Sequence, residues 1–255
     1  MEFPSPPPQT FYKYTQVKVG RGPAYLITVD LNLDGFSDLV SANAKNNTLS
    51  VLLSKGDGSF RKTLTFPVAS EPTTIITCDI NGDQIPDLLT NSRGSGQFTV
   101  FLGYGNGSFR RLPGIKTGKV PLAIIPADFN GDEKIDVAVT LTFDKMEIFL
   151  GSGNGVFKKG ETYQTGSRSL SGVPGDFNGD GNIDIVLATS SSASSAIRLY
   201  IGKGDGTFFK PRKFAKGLFP LALIKKDMNG NGLQDLIFSS SQGDNMYMLF
   251  SRGNG

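Results

Sequence analysis

The stretch Asp176-Phe177-Asn178-Gly179-Asp180-Gly181-Asn182-Ile183-Asp184 puts side-chain oxygens at loop positions one, three, five and nine. Glycines at positions four and six let the backbone turn sharply, and the carbonyl of position seven can point inward. Such a loop can wrap a hard cation such as Ca2+, which takes six to eight oxygens at short range. An EF-hand would continue into a helix with a glutamate at position twelve. Leu187 stands there instead, and Ile185-Val186-Leu187-Ala188 reads as a strand.

The loop recurs. Its opening aspartate appears at Asp30, Asp79, Asp128, Asp176 and Asp227, at spacings of 49, 49, 48 and 51 residues. The ligand positions are Asp30, Asn32, Asp34 and Asp38 in the first copy, then Asp79, Asn81, Asp83 and Asp87, and Asp128, Asn130, Asp132 and Asp136. The fourth copy has Asp176, Asn178, Asp180 and Asp184, and the fifth Asp227, Asn229, Asn231 and Asp235. Carbonyls of Phe36, Ile85, Lys134, Asn182 and Leu233 complete the sets at position seven. Aspartate and asparagine also stabilise tight turns through side-chain to backbone hydrogen bonds. Turn chemistry needs one or two such residues, however, whereas here four stand in register in every copy. The expectation is up to five Ca2+ sites, the fifth weakest because Asn231 replaces the central carboxylate.

Around each loop the order of elements repeats. A proline (Ser169 in the fourth unit) stands seven residues before the first aspartate. After the loop come a short apolar strand, a polar loop, a second strand, a Gly-rich turn such as Gly56-Asp57-Gly58-Ser59-Phe60, and a final strand. Four short strands in about fifty residues predict a propeller blade, because one small sheet cannot bury its faces without neighbours. The sequence therefore predicts an all-β fold: a β-propeller of five four-stranded blades, with residues 1–10 a Pro-rich tail or linker and 11–255 one propeller domain. Phe11 to Val19 aligns with Phe60 to Val68, so this N-terminal segment is expected to complete the last blade and close the ring. A fragment of a longer propeller is the competing reading. Ile75, Ile124, Leu223, Val51, Phe101 and Ile148 are the expected core between sheets.

The leading proline, the Asp-Phe-Asn-Gly-Asp-Gly-Asn-Ile-Asp loop and the Gly-Asp-Gly-Thr-Phe turn resemble the FG-GAP or VCBS-type repeats of integrin α-subunit heads and many secreted microbial proteins. The resemblance covers roughly residues 11–255. It departs from integrin-like propellers, which generally have seven blades. It implies Ca2+-binding loops, an extracellular or cell-surface location, and a ligand face away from those loops.

Composition narrows the chemistry. The chain of 255 residues has no histidine and no tryptophan. General acid-base catalysis near neutral pH thus lacks its usual residue. No nucleophile motif or carboxylate pair stands outside the repeated loops, so an enzyme is not expected. The lone Cys78 excludes an internal disulfide and reads as a small buried apolar residue. No apolar run approaches a membrane span, and Met1 to Thr10 lacks the apolar core of a signal peptide.

Charge is segregated. The ligand positions hold 14 of the 23 acidic residues, so 26 basic residues face 9 acidic ones elsewhere. Five bound dications would raise the formal +3 to about +13. In a meander the acidic loops and Gly-rich turns share one end of the blades. The opposite end should gather Arg21, Lys45, Arg93, Lys116, Lys119, Lys145, Arg168 and Lys216. The expected partner is a protein or an anionic glycan on that opposite face. Nucleic acid is not expected, since neither a recognition helix nor an aromatic RNA platform is present. A lectin-like or polysaccharide-processing domain and a structural spacer are the alternatives.

Overall fold

The computed structural model of the protein describes residues 16–190, 194–242 and 244–253. Among them every regular element is a strand. The first blade consists of β1 (Pro23–Val29), β2 (Asp38–Asn43), β3 (Thr48–Leu52) and β4 (Leu64–Pro67), hydrogen-bonded in that order. The second has β5 (Pro72–Cys78), β6 (Asp87–Ser92), β7 (Gln97–Gly103), β8 (Phe109–Arg111) and β9 (Ile115–Lys116). The third has β10 (Pro121–Ala127), β11 (Asp136–Leu141), β12 (Lys145–Gly151) and β13 (Phe157–Gln164). The fourth has β14 (Ser169–Gly175), β15 (Asp184–Thr189), β16 (Ala196–Tyr200) and β17 (Arg212–Phe214), and the fifth β18 (Pro220–Lys226), β19 (Asp235–Ser240) and β20 (Met246–Leu249). All pairings are antiparallel meanders, as expected from the sequence.

In the second blade β8 and β9 both pair with β7, on its two halves. They are one outer strand interrupted at Pro113, which has no N–H to donate and so cannot continue the ladder. The fifth sheet has three strands among the described residues. The closing segment expected at residues 11–19 lies mostly outside the described residues, and residues 16–19 form no strand. Gly20 N–H donates to Ser50 Oγ at 3.1 Å, and the Lys18 carbonyl accepts from Thr63 Oγ1 at 3.3 Å, so this stretch runs along the first blade.

The middle strands of the second, third and fourth blades are nearly or wholly buried on both faces, because each sheet is sandwiched between neighbours. That is why they read as unbroken apolar runs rather than alternating ones. The inner strands stack in sequence: β1 on β5, β5 on β10, β10 on β14, and β14 on β18. Four apolar clusters fill the four interfaces. The six core residues named from the sequence are all buried in them. One aromatic device recurs in the second, third and fourth blades: the Phe after the Gly-rich turn inserts toward the preceding blade. Phe109 meets Phe66 edge-on at 5.5 Å, Phe157 meets Phe98 at 5.5 Å, and Phe208 meets Phe129 at 5.5 Å. Between the fourth and fifth blades the corresponding space is an apolar cleft of about 350 Å³ lined by Phe177, Ile197, Leu236 and Leu249. The two end blades expose apolar side chains, including Leu26 on β1 and Met246 on β20.

Cys78 is partly buried beside the cluster between blades two and three, as expected of a small apolar residue. Burial, with Asp87 and Asp79 nearby, pushes its thiol up to about 12. The folded protein should therefore resist iodoacetamide at pH 8 and react at once in denaturant. Rapid labelling of the native state would contradict this placement.

Candidate cation loops

Each acidic loop is the connection between the first two strands of a blade. Val29 pairs with Asp38, Cys78 with Asp87, Ala127 with Asp136, Gly175 with Asp184, and Lys226 with Asp235. The ninth residue of every loop is thus the first residue of the second strand, and the other eight form the turn.

Local hydrogen bonds shape the turn in every copy: the position-one carboxylate accepts from the N–H groups of positions four and six in the last four loops, and from those of Asp34 and Gly35, positions five and six, in the first. In the fourth loop Asp176 Oδ1 accepts from Gly179 N–H at 2.7 Å and Oδ2 from Gly181 N–H at 2.9 Å. Asn178 Oδ1 accepts from Asp180 N–H at 3.0 Å, and Asp180 Oδ1 from Asn182 N–H at 2.8 Å. Asn178 also donates through Nδ2 to Asp180 Oδ2 at 2.9 Å. The other position-seven residues Phe36, Ile85, Lys134 and Leu233 likewise donate their N–H to the side chain at position five. The fifth loop keeps the frame, with Asn231 accepting where the other loops have an aspartate.

Position nine behaves differently from the rest. Asp38, Asp87, Asp136, Asp184 and Asp235 are all wholly buried. Asp184 Oδ2 accepts from Phe177 N–H at 2.9 Å and Oδ1 from Gly202 N–H at 2.8 Å, tying the loop to the end of the third strand. The same pair of bonds is present in all five blades. This buried structural role went unrecognised in the sequence, where position nine is one aspartate among four ligand candidates. Burial, opposed by those N–H groups and reinforced by the neighbouring aspartates of the loop, raises the pKa of Asp87, Asp136 and Asp184. Asp180, near the surface, is held low by the Asn182 N–H.

The loops also join blades. Gly107 N–H donates to the Leu31 carbonyl at 3.2 Å, and Gly206 N–H to the Phe129 carbonyl at 2.9 Å. A Gly-rich turn therefore docks on the second residue of the preceding acidic loop, whose own N–H is held by the buried aspartate. Gly206 has φ of +80°, and a Cβ there would lie 2.7 Å from a Leu150 methyl, so another residue would be strained and would displace that side chain.

Loop backbone strain marks one more difference. Position four is glycine in the last four loops but Leu33 in the first, at φ +57°. Leu33→Gly removes a left-handed penalty of about 1–2 kcal/mol against about 0.5–1 kcal/mol of added chain entropy. The expected result is a small rise in melting temperature, and a fall would show that the Leu33 side chain contributes packing.

Among the described residues no three acidic, His or Cys side chains are gathered into a closed cluster. The donor chemistry nevertheless fits a hard cation. All ligand positions carry oxygens, and a carboxylate oxygen that accepts one N–H keeps a further lone pair for a metal.

Repeated acidic hairpins on stacked four-stranded meanders define a propeller made of one repeated unit. The chain belongs to the FG-GAP-like repeat family, whose model matches residues 30–90, 79–139, 128–187 and 176–238. Solved structures share the fold. The crystal structure of BBS1N in complex with ARL6DN, soaked with mercury, superposes with TM-score 0.65 at 15% identity over 96% of this chain and 69% of that one. An Agrocybe aegerita lectin described as specifically recognising non-reducing terminal N-acetylglucosamine gives TM-score 0.61 at 17% identity over 91% of this chain and 63% of that one. The chain thus spans about two-thirds of the length of these neighbours. No curated protein matches its sequence.

Proposed function

We propose that the protein is a non-catalytic, extracellular or cell-surface binding module, stabilised by up to five Ca2+ ions, that recognises a protein or an anionic glycan through the loops opposite its acidic ones. The observation that carries this reading is the common oxygen framework of the five loops, two of which also hold the neighbouring blade through Leu31 and Phe129. The residues that would hold the ions are those of positions one, three, five, seven and nine. Bound cations would offset the repulsion between the carboxylates of each loop and so stiffen the hinges between sheets.

Partner class follows from charge and from the neighbours. Eight basic residues are expected at the far end of the blades, Lys116 and Lys145 at the ends of β9 and β12 and the others on loops, and one neighbour is described with a protein partner, another with a sugar. A lectin-like role would be favoured by aromatics exposed at repeated positions. The exposed aromatics Tyr25, Phe36, Tyr104, Phe143, Phe209, Phe214 and Phe250 occupy non-equivalent places in the repeat, which favours charge over stacking as the recognition principle.

Calcium titration of chelator-treated protein tests the proposal. Added Ca2+ is expected to raise the melting temperature by many degrees and EGTA to reverse it, and an unchanged melt would refute cation binding. Asn231→Asp should tighten the weakest site severalfold by calorimetry, since ligand charge tunes calcium affinity.

A further inference from the structure

We infer that the pocket between the loops of the first two blades, at the end opposite the acidic turns, is a subsite for the sulfate or carboxylate groups of an acidic polysaccharide. The inference rests on the functional reading above and assigns it a place. Arg21, Lys45 and Arg93 line this open pocket of about 650 Å³ together with the polar side chains of Asn47, Ser70 and Thr73. All three bases are exposed, and none forms an ion pair with a described residue. The pocket holds one acid, Glu71, which is likewise exposed and unpaired.

The backbone fixes where these charges stand. Lys45 N–H donates to the Arg21 carbonyl at 3.1 Å, and Arg93 N–H to the Glu71 carbonyl at 3.0 Å. Asn47 Oδ1 accepts from Glu71 N–H at 2.9 Å, linking the first blade's loop to the connection into the second. Gly22, at φ +65°, leaves room for the Lys45 stem: a Cβ there would lie 2.6 Å from Lys45 Cγ. Three cations on loops whose backbones are hydrogen-bonded in place around one concavity favour an anion with several oxygens, since only the side chains remain to be ordered on binding. Hydroxyl and amide groups alongside suit the neutral hydroxyls of a sugar chain.

The test measures binding of dextran sulfate, polygalacturonate and neutral dextran to the full chain in calcium. Arg21→Ala/Arg93→Ala is expected to weaken polyanion binding about tenfold or more at physiological salt. Glu71→Gln should strengthen it. Lys158→Ala/Lys210→Ala, which removes equal charge from exposed positions in and beside the outer strands, should change it little. Preference for dextran sulfate over polygalacturonate identifies sulfate as the group taken, and the reverse identifies carboxylate. Equal losses in the two double variants would overturn the pocket and leave only a general field. Unimpaired binding by Arg21→Ala/Arg93→Ala would overturn it while sparing the wider reading. If the wild type binds neither polyanion, the anionic partner itself is refuted. Matched melting temperatures among the variants confirm that folding is not the cause.

Discussion

Asp136→Ala is expected to cost about 3–5 kcal/mol, a large fraction of the roughly 5–15 kcal/mol that holds an ordinary domain folded. The side chain is wholly buried, and its two oxygens accept from Phe129 N–H at 3.0 Å and Gly151 N–H at 2.7 Å. Truncation leaves both donors in an interior that water does not reach. Each orphaned donor costs about 1–3 kcal/mol, and bonds to a charged acceptor lie at the upper end. Asp136→Asn should fall between, because the amide keeps one acceptor but turns an NH2 toward the second N–H. Urea unfolding in excess EGTA isolates this structural contribution from any held by a cation. Asp132→Ala, which alters a carboxylate on the loop surface, should lose stability in calcium yet little in EGTA. An Asp136→Ala protein as stable as wild type in EGTA would mean that the buried hydrogen bonds are replaceable.

Phe208→Ala should be comparably damaging, at about 3–5 kcal/mol. The ring is 4% exposed and lies between the third and fourth blades, edge-on to Phe129 at 5.5 Å and to Tyr163 at 5.6 Å. Its own N–H donates to Tyr163 Oη at 2.9 Å, so the outer strand is anchored at the same point. Removing the ring opens a cavity between two sheets that meet largely through such packing, with few hydrogen bonds such as Gly206 N–H to the Phe129 carbonyl between them. Phe208→Leu should recover more than half of the loss, because the cost follows lost volume. The interface of the fourth and fifth blades has a cleft at this place, so β19 and β20 are expected to exchange amide hydrogens faster than β15 and β16. Uniform protection across all blades would contradict this ranking.

Much of this was legible from residue types and spacing. The pitch of Asp30, Asp79, Asp128, Asp176 and Asp227 located every blade, and the run after each loop located the second strand, because a two-sided core requires an unbroken apolar stretch. The core residues Ile75, Phe101 and Ile148 follow from the same logic. The break of the second outer strand at Pro113 was less visible, since the proline stands between two short apolar and basic segments that both suit a strand. The closing of the ring was not decided by alignment of Phe11 with Phe60, because a strand match names a shape and not the sheet edge that receives it.

The sequence by itself determined the repeat, the strand order and the set of oxygens in each loop, for these depend on local turn chemistry and period. It did not distinguish Asp180 from Asp184. One is a surface carboxylate held by its own turn and the other a buried acceptor joining two strands, although both are aspartates in one nine-residue motif. That difference rests on Gly202, eighteen residues further along the chain. The same holds for Arg21, Lys45 and Arg93, which are scattered over more than seventy residues and come together because loops of adjacent blades are hydrogen-bonded at one end of the fold. Long-range pairing sets which identical side chains lose water and which charges share a cavity, and neither is encoded in local spacing.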